Sequence, residues 1–263
     1  MSIGAGAQQN DGIIRMFRPI YFITGVPLDG TSSYHTNDIK YQISISAPLW
    51  ASIAGHEGLD LFVAYTQTSV WHFYDSSSPF KDNMYIPGIY FDIPLKSNNI
   101  LIGAEHRSNG RPYRDNREFI DNNVDHWSRS INYAFVEYTH SFPCGISLQV
   151  NGRAGFGWYD TAITQDLFSM FFGYASFTAL YESPDGRFDA MLSATPIFKP
   201  FGLNSTAEVS WKPFKYSYCP RLFVQAHYGY DEAMIDWIRG SYPSPYIRGG
   251  LMLSPGGFRR MSR

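Results

Sequence analysis

Apolar and polar residues alternate along most of this chain. In the segment 39–49 every odd-numbered residue is apolar or aromatic, and the residues between them include Lys40, Gln42 and Ser44. The same alternation recurs in three further segments, residues 146–158, 205–212 and 222–231. Charged residues in these segments fall on one parity only, whereas a helix would spread them around a cycle of about 3.6 residues. The alternation therefore predicts β-strands.

Two kinds of break separate the predicted strands. About twelve alternating segments can be counted, an even number that lets an antiparallel meander close into a barrel. Short breaks fall at residues 94–98, 141–145 and 182–187, and long breaks at residues 75–84, 107–127 and 231–243. Short turns at one rim and long loops at the other are typical of outer-membrane barrels.

Composition distinguishes two types of β protein. The alternation itself also fits a soluble β-sandwich or a lipocalin-like barrel, which point their apolar residues inward. Aromatic residues make up 17% of the chain and charged residues another 17%, against about 25% charged residues in a typical soluble domain. A transmembrane helix needs a run of about 18 apolar residues, and the sequence contains none. The composition therefore favours a barrel whose apolar face contacts lipid.

These patterns predict an all-β fold, a single 12-stranded antiparallel transmembrane β-barrel of outer-membrane type. The barrel is expected over residues 17–258, between a flexible segment at 1–16 and a short tail at 259–263. Phe258 fits the aromatic residue on which such barrels usually end. The first residues lack the basic and apolar regions of a secretion signal, so we expect a mature or recombinant form.

Net charge and cysteines narrow the possible partners. A formal net charge of −2 gives no reason to expect nucleic acid as a partner. Cys144 and Cys219 form no metal-binding motif, and the strand count places them in turns at the same barrel end, four strands apart. At about 4.8 Å per strand this separation is too large for a disulfide. Two free thiols are therefore predicted.

The residues opposite the apolar parity face the interior of the predicted barrel. They include charges of both signs, namely Glu105, Glu137, Arg153, Asp189, Glu208 and Arg248. Twelve strands enclose little free space once such side chains interlock. A wide diffusion pore is therefore not predicted, and the functional residues are expected on the outer wall and in the loops.

Three polar residues interrupt the outward-facing apolar parity. His106 and Ser108 continue the parity of Ile100 and Ile102, and Asn132 has the outward parity on the next strand. Residues two apart on a strand project from the same face, with α-carbons roughly 6.5–7 Å apart. A serine, a histidine and an amide fit the roles of nucleophile, base and orienting group. An amide also fixes the imidazole tautomer without placing a carboxylate at a hydrocarbon boundary. Polar residues are tolerated near lipid headgroups, so these residues alone leave an incidental placement open.

Longer blocks of sequence resemble the outer-membrane phospholipase A family. The family signature is a His-x-Ser-Asn-Gly run followed by a Ser-Arg-Ser-x-Asn run. Here residues 106–110 read His-Arg-Ser-Asn-Gly, and residues 128–132 read Ser-Arg-Ser-Ile-Asn. Residues 47–50, 65–71 and 77–80 resemble further family blocks in the same order. The resemblance extends in separate blocks from about residue 17 to residue 253.

The resemblance implies an enzymatic activity. It implies a phospholipase of the outer membrane that hydrolyses acyl ester bonds at the outer leaflet. Ser108 would be the nucleophile, His106 the general base and later the general acid, and Asn132 the residue that holds His106. Enzymes of this family cleave both acyl positions of phospholipids (A1 and A2 activity) as well as lysophospholipids.

A calcium ion and a homodimer are also implied by the resemblance. The implied Ca²⁺ ligands are the main-chain carbonyl of Arg111, the hydroxyl of Ser128 and the partner subunit's Ser77. The ion and the Gly110 amide would stabilise the oxyanion of the tetrahedral intermediate. A hard cation held by neutral oxygens suits a chain with few carboxylates.

Gln67 gives a separate indication of a dimer. It shares the parity of Tyr65 and Trp71, so its amide would lie in hydrocarbon. An unpaired amide there would cost on the order of a few kcal/mol. Gln67 of a second subunit would satisfy it, and the resemblance implies the same pairing. A glutamine in water at the rim is the alternative.

The chain departs from the family pattern between Asn109 and Trp127. This segment is longer than the family's usual connection and rich in Arg and Asp. Its aspartates are either solvated charges or additional calcium ligands. Two alternatives to the phospholipase remain, a non-enzymatic barrel acting as an adhesin or small pore, and an acyl hydrolase that acts on lipopolysaccharide.

Overall fold

The computed structural model describes residues 14–110, 128–157, 166–199, 201–216, 219–237 and 242–254. Within these ranges the chain is almost entirely β-strand, with three short helical turns at Ile53–Gly55, Phe168–Phe172 and Met234–Asp236. No helix among the described residues has the length and hydropathy needed to cross a membrane.

Thirteen strands lie within the described ranges. Their bounds are β1 Arg15–Met16, β2 Ile20–Pro27, β3 Asp38–Trp50, β4 Asp60–Trp71, β5 Phe80–Leu95, β6 Asn98–Ser108, β7 Ser130–Ser141, β8 Ile146–Phe156, β9 Ala175–Glu182, β10 Phe188–Phe198, β11 Phe201–Trp211, β12 Arg221–Gly229 and β13 Ser244–Leu253.

Strands β2 to β13 form a closed barrel. Each pairs antiparallel with its neighbours along the chain, and β13 pairs with β2 to close the sheet. The predicted 12-stranded antiparallel barrel is confirmed. The very short β1 pairs with β3 beyond the end of β2, so Arg15 and Met16 belong to the sheet rather than to a flexible segment ending at residue 16. The predicted long break at residues 75–84 is also too long, because β5 already begins at Phe80.

The outward face of the barrel is apolar. On β6, Ile102 is 42% exposed, whereas its neighbour Leu101 and the inward-facing Glu105 are buried. Large apolar residues are exposed in the same way on other strands, among them Ile43, Val136, Val150, Leu192, Val224 and Leu251. A soluble barrel shows the reverse distribution. The arrangement confirms the transmembrane type and excludes the soluble alternative.

Paired charges fill much of the lumen. Of the six predicted lumen residues, four are buried: Glu105, Glu137, Asp189 and Arg248. The other two, Arg153 and Glu208, are half-buried. Both carboxylate oxygens of Asp38 accept hydrogen bonds of 2.7 Å from Arg248. Arg221 forms an ion pair of 2.5 Å with Asp189. Charges of opposite sign therefore neutralise each other inside the barrel.

An apolar plug occupies the lumen at the long-loop end. We call the buried side chains of Phe168, Phe171, Phe172, Met234 and Trp237 the plug; they come from the β8–β9 and β12–β13 connections. The sequence predicted a polar lumen and did not anticipate these loops, since alternation describes only the strands. A cavity of about 580 Å³ remains at the short-turn end, bordered by residues such as Arg18, Lys40 and Glu137.

Both cysteines are free. Cys144 lies in the β7–β8 turn and Cys219 in the β11–β12 connection. The prediction of two free thiols is confirmed.

Candidate active site

Strands β6 and β7 bring the three predicted catalytic residues together on the outer wall. His106 lies directly opposite Asn132 in the ladder, and Ser108 lies opposite Ser130. Nδ1 of His106 is 2.8 Å from Oδ1 of Asn132. Ser108 projects from the same face as His106, two residues along β6, where the α-carbon separation is roughly 6.5–7 Å. All three side chains are half-buried.

The hydrogen bond to Asn132 determines which ring nitrogen of His106 carries the proton in the neutral imidazole. The amide oxygen Oδ1 can only accept a hydrogen bond, so Nδ1 of His106 must carry the proton. In a neutral imidazole the other nitrogen, Nε2, then has a free lone pair. This tautomer is the one that can take a proton from a serine hydroxyl.

The inner side of this wall is held by a dense polar and aromatic network. Glu105, next to His106, accepts hydrogen bonds from Tyr133 and, at 2.7 Å, from Tyr90, and it forms an ion pair with Arg18. Tyr133 is in turn next to Asn132 along β7. The inner network therefore fixes the backbone positions from which His106 and Asn132 project outward.

Arg107 ties the same wall to the plug. Its guanidinium lies 4.8 Å from the centre of the Phe172 ring, and Arg153 lies 4.6 Å from the centre of the same ring. The Tyr133 ring centre is 4.9 Å from that of Phe172. Cation–π contacts of this kind are strengthened away from water. The plug therefore supports the strand that carries His106 and Ser108.

Gly110 and Ser128 lie at the two ends of the β6–β7 connection, Gly110 just after β6 and Ser128 just before β7. Each lies two residues beyond the last ladder pair, Ser108 with Ser130. Gly110 has a φ of 62°, and a Cβ added there would lie 2.5 Å from the Tyr85 ring. Only glycine fits this position. The predicted calcium ligand Arg111 lies outside the described residues.

Ser77 lies in a different connection, the tight β4–β5 loop at the same end of the barrel. It has a φ of 62°. Nδ1 of His35 is 2.8 Å from Oδ1 of Asp75, and this hydrogen bond lowers the pKa of Asp75. The Trp71 indole donates to the main-chain oxygen of Ser78 at 2.6 Å. These contacts hold the turn that presents Ser77.

Gln67 lies on the outward face of β4, as predicted, but its amide has partners within its own chain. It accepts a hydrogen bond from the Tyr65 hydroxyl and donates one to Ser69, each at 3.2 Å. The expectation that a single chain leaves this amide unpaired is therefore wrong. Both contacts lie at the long end of the usual range for hydrogen bonds.

The donor set at this end of the barrel is compatible with calcium. Among the described residues no group of three or more His, Cys, Asp or Glu side chains could hold a metal ion. The candidate ligands are instead serine hydroxyls and a main-chain carbonyl, which are neutral oxygen donors that Ca²⁺ accepts. Ser128 lies two residues before Ser130, which pairs with Ser108 at the end of the β6–β7 ladder.

Three residues near the site were not singled out from the sequence. Tyr85 pairs with Gln67 on one side and with Ser108 on the other. Asn109 and Arg129 close the base of the β6–β7 connection. Asn109 precedes a glycine at a strand end, a combination that favours turns, and this was the available signal.

The fold and the site define a class of protein. It is a transmembrane-type β-barrel with a serine, a histidine and an asparagine grouped on its outer wall. The sequence profile of the Phospholipase A1 family matches residues 26–241. The chain belongs to this phospholipase family, whose members are ester hydrolases.

Individual relatives agree with this assignment. The chain is 26% identical to Phospholipase A1 of Escherichia coli strain K12 over 237 residues, which cover 86% of this chain and 73% of that protein. It is 32% identical to Phospholipase A1 of Klebsiella pneumoniae over 92 residues, 32% of each chain.

Two solved structures share the fold. Outer membrane phospholipase A from Escherichia coli superposes with a TM-score of 0.74 at 21% identity and covers 95% of both chains. The dimer of Salmonella typhi outer membrane phospholipase with bound calcium gives a TM-score of 0.74 at 22% identity and covers 94% of both chains. These likenesses support the barrel architecture.

Proposed function

We propose that this chain is an outer-membrane phospholipase that cleaves acyl ester bonds with Ser108, His106 and Asn132. The observation that carries the proposal is the 2.8 Å contact between His106 Nδ1 and Asn132 Oδ1 on the lipid-facing wall, with Ser108 on the same face. A polar catalytic group placed there meets the substrate where it resides, at the membrane surface. The long-loop end that holds it is expected to face the outer leaflet.

The proposed reaction proceeds in two steps. Ser108 Oγ attacks the acyl carbonyl carbon while Nε2 of His106 takes the hydroxyl proton. The carbon–oxygen bond to the lipid breaks, and His106 returns the proton to the departing alcohol oxygen, leaving an acyl-serine. Water, deprotonated by His106, then attacks the acyl-serine; the bond to Ser108 Oγ breaks, His106 returns the proton to Oγ, and a fatty acid is released. Asn132 keeps the imidazole in one tautomer and orientation throughout.

Ser128, the Arg111 carbonyl and the partner subunit's Ser77 are the proposed calcium ligands. When bound, the ion would supply positive charge that stabilises the oxyanion, together with the Gly110 amide. The neutral donors of this chain fit such an ion. The Salmonella typhi relative, described as a dimer with bound calcium, supports this part of the proposal.

Substrate breadth follows from where the site lies. The three proposed catalytic side chains are half-buried on the outward face of the barrel. Among the described residues no group is seen to select one acyl position, so both positions of a phospholipid and lysophospholipids are proposed substrates. The plug closes the lumen at the long-loop end, which argues against the alternative function of a pore.

Calcium removal is expected to reduce the activity of the wild-type protein by about 10²–10³-fold, the usual loss for a missing oxyanion-stabilising group. The measurement is fatty-acid release from mixed phospholipid–detergent micelles, with calcium and then with chelator. Restoring calcium is the control and should restore the rate. No phospholipid hydrolysis in calcium, at concentrations where a cross-linked dimer forms, would contradict the proposed function. Release of acyl chains from lipopolysaccharide only would support the alternative hydrolase.

Replacing Gln67 by leucine is expected to weaken dimer association by at least about threefold. Side-chain hydrogen bonds within membranes contribute about 0.6 kcal/mol on average, which corresponds to that factor. Chemical cross-linking across a protein dilution series in calcium measures the association. Gln149→Leu, the same change at a glutamine of β8 that faces the lumen, is the control for a loss that does not involve the outer face. Equal dimerisation of the Gln67 variant and wild type would show that Gln67 does not contribute to the proposed interface.

A further inference from the structure

The base of the β6–β7 connection is closed by a side chain instead of a regular ladder bond. Asn109 lies opposite Arg129, one step beyond the pair of Ser108 and Ser130. In an antiparallel ladder such a pair exchanges two main-chain N–H···O bonds. The Asn109 N–H donates to the Arg129 carbonyl oxygen at 3.1 Å. The Arg129 N–H, however, donates to the side-chain Oδ1 of Asn109 at 2.9 Å.

Because the Asn109 side chain replaces a main-chain acceptor, the chain can turn without leaving the Arg129 N–H unpaired. The next residue, Gly110, adopts the left-handed φ of 62° that turns the backbone away from the ladder. Asn109 itself is only 3% exposed, so water does not compete for the hydrogen bond. An unsatisfied N–H at such a buried position would cost about 1–3 kcal/mol. The side chain of Asn109 and the turn at Gly110 therefore belong to one local arrangement.

Arg129 is anchored at its other end by the plug. Its Nε donates to the main-chain oxygen of Trp237 at 3.1 Å, and its Nη1 donates to the main-chain oxygen of Ser128 at 3.1 Å. Trp237 is almost completely buried. The guanidinium thus connects Ser128 to the plug, while the backbone of Arg129 is held by Asn109. Ser128 is fixed from two directions.

We propose that Asn109 is a positioning residue of the hydrolase. Its side chain locks the backbone of Arg129 and so holds the adjoining residues Gly110 and Ser128 in a fixed relative position, close along the chain to Ser108. This inference rests on the proposed function, in which Gly110 is the oxyanion donor and Ser128 a calcium ligand. Asn109 contacts no reacting atom, and one hydrogen bond that its side chain accepts from Arg129 sets the relative position of both groups.

The test compares Asn109→Ala with Asn109→Asp, which keeps an acceptor oxygen at the same place. Asn109→Ala is expected to lower kcat, and to raise the calcium concentration for half-maximal dimer cross-linking, by about 10–100-fold each, as for other residues that orient metal ligands. KM should change little, because Asn109 does not touch the lipid. Asn109→Asp is expected to restore most of both quantities. Fatty-acid release and cross-linking are the two measurements.

Asn204 provides a matched control. It is buried to the same degree, donates to the Phe171 carbonyl at 2.6 Å and accepts from the Tyr230 N–H at 2.8 Å. Asn204→Ala removes an amide of β11 that bonds to the Phe171 and Tyr230 backbones, and it is expected to lower stability without changing the calcium midpoint. Equal calcium midpoints in wild type and Asn109→Ala, or equal losses in the Asn109 and Asn204 variants, would overturn the proposal. So would Asn109→Asp being as impaired as Asn109→Ala.

Hydrogen exchange separates this proposal from the proposed function. Without calcium, the Arg129 amide should be protected in wild type and Asn109→Asp and should exchange rapidly in Asn109→Ala. Fast exchange in wild type would refute the hydrogen bond itself. A wild-type protein that does not respond to calcium but shows the expected exchange pattern would refute the proposed calcium chemistry while leaving the structural role of Asn109 in place.

Discussion

Replacing Ser108 by alanine is expected to lower kcat for phospholipid hydrolysis by at least about 10⁴-fold, because without the hydroxyl no acyl-enzyme can form. The measurement is fatty-acid release from mixed micelles at saturating calcium. Dimer cross-linking in calcium should be unchanged, since Ser108 contributes to chemistry and not to association. A matched control is Ser205→Ala, which removes a serine near the long-loop end of another strand, β11. That variant should keep the wild-type rate.

The neighbouring residues define the expected pattern more closely. His106→Ala should cost about as much as Ser108→Ala, and the double variant should be no worse, because residues that act as one unit are not additive. Asn132→Ala should cost less, since it removes the group that orients His106 and leaves the nucleophile and base in place. Additive losses in the double variant, or activity in Ser108→Ala above about one per cent of wild type, would rule out this triad.

The strands could be predicted from the sequence because each has one face toward lipid and the other toward the lumen. Apolar and polar residues therefore alternate with a strict period of two. Ile102 and Glu105 on β6 show it directly, with the first exposed and the second buried. The loops carry no such period. Nothing in the sequence indicated that Phe168–Phe172 would fold into the lumen, because an aromatic run after a barrel strand fits a membrane girdle equally well.

The grouping of His106, Ser108 and Asn132 was predictable for a related reason. Parity alone puts His106 and Ser108 on one face, and adjacency of β6 and β7 puts Asn132 on the same wall; the register that pairs His106 with Asn132 then completes the contact. Asn109 was missed because its contribution is a hydrogen bond that its side-chain oxygen accepts from a main-chain N–H at a strand end. Such bonds depend on local backbone geometry that the alternation pattern does not encode. The partners of Gln67 were missed for a similar reason, as they lie along its own strand.

The outward site places a particular demand on the lumen. Apart from the contact with Asn132, the wall that carries His106 is supported from the lumen side, where Glu105, Arg107 and Tyr133 lie. If the proposed function holds, this inner network supports the active site although it contacts no substrate. Elsewhere in the lumen, pairs of opposite charges stabilise the barrel. An experiment can separate this stabilising role from the support of the outer wall.

Replacing Arg248 by alanine is expected to destabilise the barrel by about 3–5 kcal/mol, the usual cost of removing one partner of a buried ion pair. Arg248 binds both oxygens of Asp38 at 2.7 Å and donates to Glu232 at 2.8 Å. Burial acts to raise the pKa of Glu232, yet the charges of Arg248 and Lys40 bring it well below its usual value. A carboxylate with a depressed pKa stabilises the fold above its unfolded pKa, and this contribution is lost as the pH falls through the folded pKa.

The destabilisation should therefore be largest near neutral pH and shrink in acid. Urea unfolding in lipid vesicles, followed by tryptophan fluorescence at several pH values, measures it. The apolar pair Asp38→Leu with Arg248→Met is the control and should recover much of the stability, since it leaves neither partner charged and alone. Refolded Arg248→Ala should keep the wild-type kcat, because the ion pair lies on strands remote from Ser108. A loss of kcat without a loss of stability would mean instead that this lumen cluster acts on the catalytic wall.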